Sequence, residues 1–312
     1  MSLFAPVYYS DFTCIAGNCR HSCCIGWEID IDPRSLARYN KLPPKERKKI
    51  LSQTVTQKGT TSFRLAKDGR CPFLTDQGLC QLILTHGEGI LCDICREHPR
   101  FYNAFTSRSE VGLGLCCEEA ARLILTETRP FSLICLEEDA SSTFSDPFEA
   151  DFFATREEIF ALITNRSLPL SKRIDEILRR FDINGSVIYA NAAHWQKIYR
   201  NLERLDPHWD IALDQWENSP APPAWEDRAV EQLIAYFLYR HLADAVSDGL
   251  LKERIAFALL SAEVICSIAG AVNGSCDNGL AALIDAARAY SAEVEYNEEA
   301  VAHLWGELSL LL

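Results

Sequence analysis

Apolar residues recur every three to four positions through the second half of the chain, from about Phe148 onward. That spacing is the period of a helix with one buried face. Proline-rich residues 220–223 interrupt the pattern and indicate a loop. The clearest helical stretches are residues 174–181, 230–246, 250–269, 280–290 and 298–311. The pattern predicts an all-helical C-terminal domain.

The first half of the chain has no such period at its start, and residues 1–30 are expected to form irregular backbone. Asp32 followed by Pro33 predicts the start of a short helix, because aspartate caps helices and proline suits their first turn. A second helix is expected after Leu42, and its basic residues 45–49 are interpreted as a solvated face.

Apolar and polar residues alternate over residues 60–65, which predicts a strand, and a second strand is expected after the turn at 68–69. Residues 118–128 predict a helix.

Charge divides the chain at about residue 130. Of the 312 residues, 48% are hydrophobic and 24% charged, which is a globular composition, and the formal net charge is −13. Residues 1–130 hold 17 Lys and Arg against 14 Asp and Glu, whereas residues 131–312 hold 14 against 30. The predicted domains are therefore a near-neutral, cysteine-rich 1–130 and an acidic, helical 131–312. The acidic balance argues against a nucleic-acid partner.

The N-terminal residues lack a charged segment followed by an apolar stretch, so no secretory signal is predicted. No run of 18 apolar residues is present, so no membrane association is expected. We therefore expect a cytoplasmic protein, in which clustered thiols bind metals or act in redox chemistry more often than they form disulfides.

The chain has 13 cysteines, ten of them at or before Cys117. Thiolates bind zinc and iron, and four converging sulfurs hold a zinc ion or an iron–sulfur cluster. The spacings match neither paired zinc knuckles nor the bacterial ferredoxin run, so they indicate a metal without identifying it. Cys135 and Cys266 are interpreted as buried apolar side chains, and so is Cys276 in its glycine-rich loop. Cys92 fits either interpretation, as does Cys116.

The ordered cysteine segments resemble a known family. Cys14-x4-Cys19-x3-Cys23-Cys24-x2-Trp27, followed by residues 29–32, resembles the opening of the flagellin lysine-N-methylases of the FliB type. The resemblance covers about residues 8–125 and is looser at 195–205 and 236–240. The cysteine layout is also similar to that of a group of zinc- or iron-chelating domains. Later matching segments are Cys71-Pro72-Phe73-Leu74, Gly78-Leu79-Cys80, Cys95-x3-Pro99-Arg100 and Leu115-x-Cys117-x-Glu119.

This resemblance implies S-adenosylmethionine-dependent methylation of lysine side chains on flagellin. It also implies an iron–sulfur cluster, 4Fe-4S, as the metal centre, with zinc as the alternative. Glu118 departs from the family, which tends to have proline there. Together, the resemblance and the hydrophobic patterning predict a mainly α fold: an irregular, cysteine-rich metal-binding N-terminal domain followed by an all-helical domain. The metal ligands are expected among eight matched cysteines, namely Cys14, Cys19, Cys23, Cys24, Cys71, Cys80, Cys95 and Cys117.

Lysine methylation requires a neutral amine and a site that faces a cationic methyl donor. The carboxylate of Glu88, the guanidinium of Arg100 and Tyr8 are the catalytic candidates. The donor-binding candidates are the aromatic residues Trp27 and Tyr9 and the carboxylate of Asp11.

No glycine-rich nucleotide fingerprint follows a strand. A non-catalytic zinc- or iron-binding module, for metal chelation or sensing, and an adaptor protein therefore remain the alternative functions to a methyltransferase.

Overall fold

Four strands from distant parts of the chain pair into one sheet in the computed structural model. The structure describes residues 1–139, 146–218, 226–273 and 279–312, without the side chains of 272 and 273. The strands are β1 (Ser2–Pro6), β4 (Arg100–Ala104), β5 (Arg108–Leu113) and β6 (Leu133–Glu137). Their order is β4-β5-β1-β6. β1 runs parallel to β5 and antiparallel to β6. The irregular backbone expected for 1–30 is thus wrong at β1, and the all-helical prediction for 131–312 is wrong at β6.

The chain divides into two units. The larger unit comprises Met1–Phe12 and Phe101–Leu312, and the smaller unit comprises Thr13–Arg100. These bounds differ from the predicted 1–130 and 131–312, because the sheet joins residues 2–6 to strands on both sides of residue 130. Of the N-terminal cysteines, Cys116 and Cys117 lie in the larger unit and the others in the smaller one.

Short elements joined by turns build the smaller unit. Its strands β2 (Thr54–Gln57) and β3 (Thr60–Phe63) form an antiparallel hairpin. The strand predicted at 60–65 is therefore confirmed, but its partner precedes it, and the strand predicted after 68–69 is absent from the described backbone there. The helices are α1 (Pro33–Asn40), α2 (Pro44–Leu51), α3 (Gln81–His86) and α4 (Asp93–Glu97).

Helices make up most of the larger unit, and the mainly α prediction is confirmed. Asn297 caps the last helix through its side chain, which accepts a hydrogen bond from the Ala300 N–H. The cysteine-rich N-terminal metal domain stays a prediction. The helices are α5 (Glu118–Thr126), α6 (Pro147–Ile163), α7 (Leu170–Arg180), α8 (Ser186–Tyr189), α9 (Ala192–Asn201), α10 (His208–Glu217), α11 (Asp227–His241), α12 (Ala245–Asp248), α13 (Leu251–Asn273), α14 (Gly279–Tyr290) and α15 (Glu298–Leu311).

The central helix α13 contacts α10, α11, α14 and α15 in the core of the larger unit. Its segment Leu251–Ala271 is long and apolar enough to cross a membrane, but 83% of the apolar window is buried inside the structure, as in the core helix of a globular domain. Cys266 is buried on this helix, as predicted, whereas Cys135 on β6 is exposed, so its predicted burial is wrong. Cys276 and the proline-rich residues 220–223 lie outside the described residues.

Candidate functional site

Cysteine side chains from separate segments meet in the hydrophobic core of the smaller unit. Cys71 and Cys92 are buried, with 8% and 1% of their surface exposed. Cys24, Cys80 and Cys95 pack half-buried against the same apolar cluster. We call these five residues the thiol cluster. It holds four of the eight predicted ligands and adds Cys92.

Backbone hydrogen bonds hold these segments together. The Cys71 N–H donates to the Cys24 carbonyl at 2.8 Å, which joins the two loops directly at their cysteines. The same loops also touch at a pair of glycines. A Cβ on Gly17 would lie 2.5 Å from the Gln77 carbonyl oxygen, and one on Gly78 would lie 3.2 Å from the Gly17 Cα. Only residues without a side chain allow this approach.

Asp32 places the third segment. Its Oδ1 accepts the Ser35 N–H at 2.9 Å and caps α1, while its Oδ2 accepts the Asp93 N–H at 2.9 Å at the start of α4. Burial raises the pKa of this carboxyl, but hydrogen bonds from the Asp93 and Ser35 N–H groups outweigh it and hold the pKa at about 2. The residue that caps α1, as predicted, therefore also positions Cys92, which immediately precedes α4.

The thiols influence one another's protonation. A hydrogen bond with Cys23 lowers the pKa of Cys24 to about 7, which favours its thiolate near neutral pH. The Sγ atoms of Cys92 and Cys95 lie 3.4 Å apart. Sharing a hydrogen bond lowers the pKa of Cys92 and raises that of Cys95. Burial, with the charges of Cys24, Cys80 and Cys92, raises the pKa of Cys71 to about 11.

The thiol cluster has the donor chemistry of a site for zinc or iron, since soft sulfur ligands select these metals. A positively charged metal would also relieve the repulsion among the thiolates that, after burial, raises the pKa of Cys71. Within the described ranges, no three His, Cys, Asp or Glu side chains are already arranged around one metal position. The residue types of the thiol cluster therefore fit a metal centre.

The other four predicted ligands lie elsewhere. Cys14 and Cys23 are exposed on the first loop, and Cys19 is half-buried there, with its thiol donating to the His21 carbonyl at 3.2 Å. Cys117 precedes α5 in the larger unit. The signal for the missed residue was the Cys92-x2-Cys95 spacing, which is typical of paired metal ligands on a tight turn.

The smaller unit also contains three of the predicted catalytic and donor-binding residues. Glu88 is exposed in a 3-10 turn, and Arg100 is half-buried at the start of β4. The half-buried Trp27 ring lies 5.7 Å from the ring of His98, centre to centre, and its indole N–H donates to the Cys23 carbonyl. Burial lowers the pKa of His98 to about 4, so its ring is neutral at pH 7.

The remaining predicted residues belong to the larger unit. Tyr8 is buried in its core, 2% exposed, and burial raises the pKa of its hydroxyl. Tyr9 is half-buried against the same core. Asp11 is exposed and lies 3.4 Å from the Arg129 guanidinium. Their predicted roles stay predictions.

A buried polar network in the larger unit was not foreseen. It centres on Glu295, which ends a π-helical turn, Ser291–Glu295. The carboxylate accepts hydrogen bonds from Tyr236 at 2.8 Å and Ser291 at 2.5 Å, and its Oε1 lies 3.1 Å from Arg240 Nε. His241 Nε2 lies 2.8 Å from the same oxygen. Burial raises the pKa of Glu295, but the charge of Arg240 and these hydrogen bonds outweigh it and lower the pKa overall.

This network reaches the last matched cysteine motif. The Tyr236 hydroxyl oxygen accepts the Leu115 N–H at 3.2 Å, one residue before Cys116. Burial raises the pKa of the Cys116 thiol to about 12, although a hydrogen bond with Tyr296 opposes the rise. The loosely matched segment 236–240 therefore contacts the segment that carries Cys117. The π-turn itself has no sequence signal that predicts it.

Comparison with known proteins gives three significant relatives. A lysine-N-methylase of Salmonella typhimurium strain LT2 is 25% identical over 149 residues, and one of Salmonella choleraesuis is 25% identical over 135 residues. The chain is related to the lysine-N-methylases. The flagellar biosynthetic protein FliU of Salmonella muenchen is likewise 25% identical, over 134 residues.

The relationship to the lysine-N-methylases is partial. Each match covers 41% of this chain; it spans about a third of each lysine-N-methylase (33%) and 79% of FliU. No protein-family model matches the chain, and no solved structure matches it. The family resemblance seen in the cysteine motifs is confirmed at the level of a distant relationship.

Proposed function

We propose that the chain is a cytoplasmic protein-lysine N-methyltransferase that uses S-adenosylmethionine and acts on flagellin or a similar protein. The observation that carries this proposal is the relationship to proteins named lysine-N-methylase, with FliU named as a flagellar protein. The acidic balance of residues 131–312 supports a lysine-rich substrate, because opposite charge steers association.

The reaction sets clear demands on the site. A lysine ammonium, with a pKa near 10.4, first loses its proton to a base or in an apolar pocket. The amine lone pair then attacks the methyl carbon of the sulfonium, so a C–N bond forms. The S–C bond breaks, and the sulfur keeps the electron pair as a thioether. Holding the two reactants in line supplies much of the acceleration.

The smaller unit offers groups suited to these demands. The neutral His98 ring beside Trp27 presents aromatic surface without positive charge, which favours a cationic donor. Glu88 is the candidate base for the lysine proton, and Arg100 is the candidate partner for a donor or substrate carboxylate. In the larger unit, Tyr9 and Asp11 stay donor-binding candidates, and Tyr8 stays a catalytic candidate.

We also propose an iron–sulfur cluster, 4Fe-4S, as the resident cofactor, with zinc as the alternative. The thiol cluster would supply its ligands, because it gathers five cysteines in one apolar core. The bound metal would cross-link the loops at Cys24 and Cys71 to α4, and so would stabilise the smaller unit. The exposed Cys14 and Cys23 and the half-buried Cys19 remain members of the predicted ligand pool, as does Cys117.

The cofactor is tested by anaerobic purification, followed by iron, sulfide and zinc analysis and a visible spectrum. We expect about four irons and four sulfides per chain. Cys71→Ser should lose most of this metal, because it removes a buried sulfur of the thiol cluster. The matched control is Cys135→Ser, at an exposed cysteine of the larger unit, which should keep it. A colourless, zinc-loaded protein would contradict the iron–sulfur assignment.

The activity is tested by transfer of a labelled methyl group from S-adenosylmethionine to purified flagellin. We expect labelled methyl-lysine after hydrolysis of the flagellin. Glu88→Gln removes the candidate base, so the rate of methyl transfer should fall at least about 100-fold. A metal-loaded, folded preparation that labels no lysine-bearing protein would contradict the methyltransferase. Such a result would favour a non-catalytic metal-binding module, for which the thiol cluster alone suffices.

A further inference from the structure

The smaller unit has a concave pocket of about 470 Å³ between α2 and α3. This volume lies in the range of about 300–1,000 Å³ that small-molecule sites occupy. Nothing in the proposed methyl transfer uses its residues. Three residues of the basic segment 45–49, interpreted from sequence as a solvated face, line one wall: Lys45, Glu46 and Lys49.

The floor of the pocket is apolar. Ile50, Phe73 and Leu82 line it, and all three are buried members of the hydrophobic cluster that contains the thiols. Phe73 is held edge-on by Phe63, with ring centres 5.1 Å apart. A flat apolar group could therefore lie on a floor that is fixed by the core.

The rim carries positive charge. Lys45 and Lys49 are exposed and four residues apart, so both lie on the same face of α2, above the floor. Like charges at this spacing repel each other, and a bound anion would relieve the repulsion. The lining also holds one carboxylate, Glu46, whose Oε2 lies 3.7 Å from His86 Nδ1, so two lysine charges face one carboxylate charge.

We propose that this pocket binds a small anion that carries a flat apolar group. The apolar group occupies the floor at Phe73 and Leu82, and a carboxylate or phosphate is held by Lys45 and Lys49. Phe73 lies two residues after Cys71 and Leu82 two residues after Cys80, so the bound ligand lies beside the thiol cluster. The site is independent of methyl transfer, and its occupation stabilises the smaller unit.

The test is calorimetric titration of the full chain with three probes that share one ring: 2-naphthoate, 2-naphthyl phosphate and neutral 2-naphthol. We expect at least one of the two anions to bind with a Kd below millimolar, and 2-naphthol to bind at least about tenfold more weakly. The stronger of the two anions identifies the ligand class as carboxylate or phosphate. No heat from either anion at millimolar concentration, or equal binding of 2-naphthol, would overturn the proposal.

Matched variants locate the site. The double substitution Lys45→Gln and Lys49→Gln should raise the Kd about tenfold, at up to about fivefold for each exposed ion pair. Lys41→Gln with Lys48→Gln removes the same charge from exposed lysines that do not line the pocket, and should change the Kd less than twofold. Thr85→Trp, at an exposed lining position, should fill the pocket and abolish binding. Equal effects of both lysine pairs, or unchanged binding by the folded tryptophan variant, would refute the assignment.

Discussion

Replacing Glu295 by leucine tests the central polar network of the larger unit. The carboxylate is fully buried, and the side chain of its partner Arg240 is only 13% exposed. With leucine at position 295, the guanidinium charge of Arg240 is largely buried and has lost its carboxylate partner. The substitution also removes the hydrogen-bond acceptor of Tyr236 and Ser291. Breaking a buried pair by removing one partner costs about 3–5 kcal/mol.

The expected loss is large enough to measure by thermal unfolding. For a unit of roughly 200 residues, each kcal/mol shifts Tm by about 2–4 °C, so Glu295→Leu should lower Tm by about 6–20 °C. Tryptophan fluorescence follows this transition, because Trp195, Trp209 and Trp216 are buried in the larger unit. The exposed pair Glu176–Arg179 supplies a matched control, and Glu176→Leu should cost less than about 1 kcal/mol.

A second variant separates the loss of the pair from a packing defect. Adding Arg240→Leu to Glu295→Leu removes the stranded charge, so the double variant should be more stable than the single one. If Glu295→Leu costs less than about 1 kcal/mol, or if the double variant is less stable than the single variant, the ionised network is not what stabilises this part of the larger unit.

Three further predictions concern the smaller unit. Burial lowers the pKa of His98 to about 4 from about 6.5, so the unfolded chain binds more protons between these values. Stability should therefore fall as the pH drops from 6.5 to 4, by up to about 3 kcal/mol, and urea titrations of His98→Gln should lack that slope. Gly17→Ala places a Cβ against the Gln77 carbonyl and should cost about 1–3 kcal/mol, whereas Gly89→Ala, which meets no atom within 4 Å, should be tolerated; equal urea midpoints would contradict the close approach of the two loops. Asp32→Ala removes two backbone hydrogen bonds and should cost about 1–2 kcal/mol in the same assay, with unchanged stability as the contrary result.

Local signals predicted the elements that depend on neighbouring residues. Asp32-Pro33 opens α1, and the helix predicted at 298–311 has those same bounds. Capping and amphipathic spacing act within a few residues, so they are visible in the sequence. β1 and β6 were missed because their pairing joins Phe4 to Cys135, a contact that no local pattern shows.

The candidate site was predicted only in part, because sequence motifs are local whereas the site depends on tertiary contacts. The family resemblance of the cysteine motifs pointed to Cys24, Cys71, Cys80 and Cys95, which the fold brings into one core. The sequence contains no measure of burial, so it placed Cys135 in the interior, where the structure shows it exposed. The Glu295 network joins residues far apart in the chain, and only the tertiary structure brings Tyr236 and Leu115 together.

The position of β1 has a consequence for synthesis on the ribosome. Its partners are the strands at Arg108–Leu113 and Leu133–Glu137, so β1 has no sheet to join until more than 100 further residues have been made. At about 5–20 residues per second, that delay is roughly 5–20 s. Residues 13–100 leave the ribosome within this interval. The cysteine-bearing unit can thus collapse while the first strand of the larger unit still awaits its neighbours.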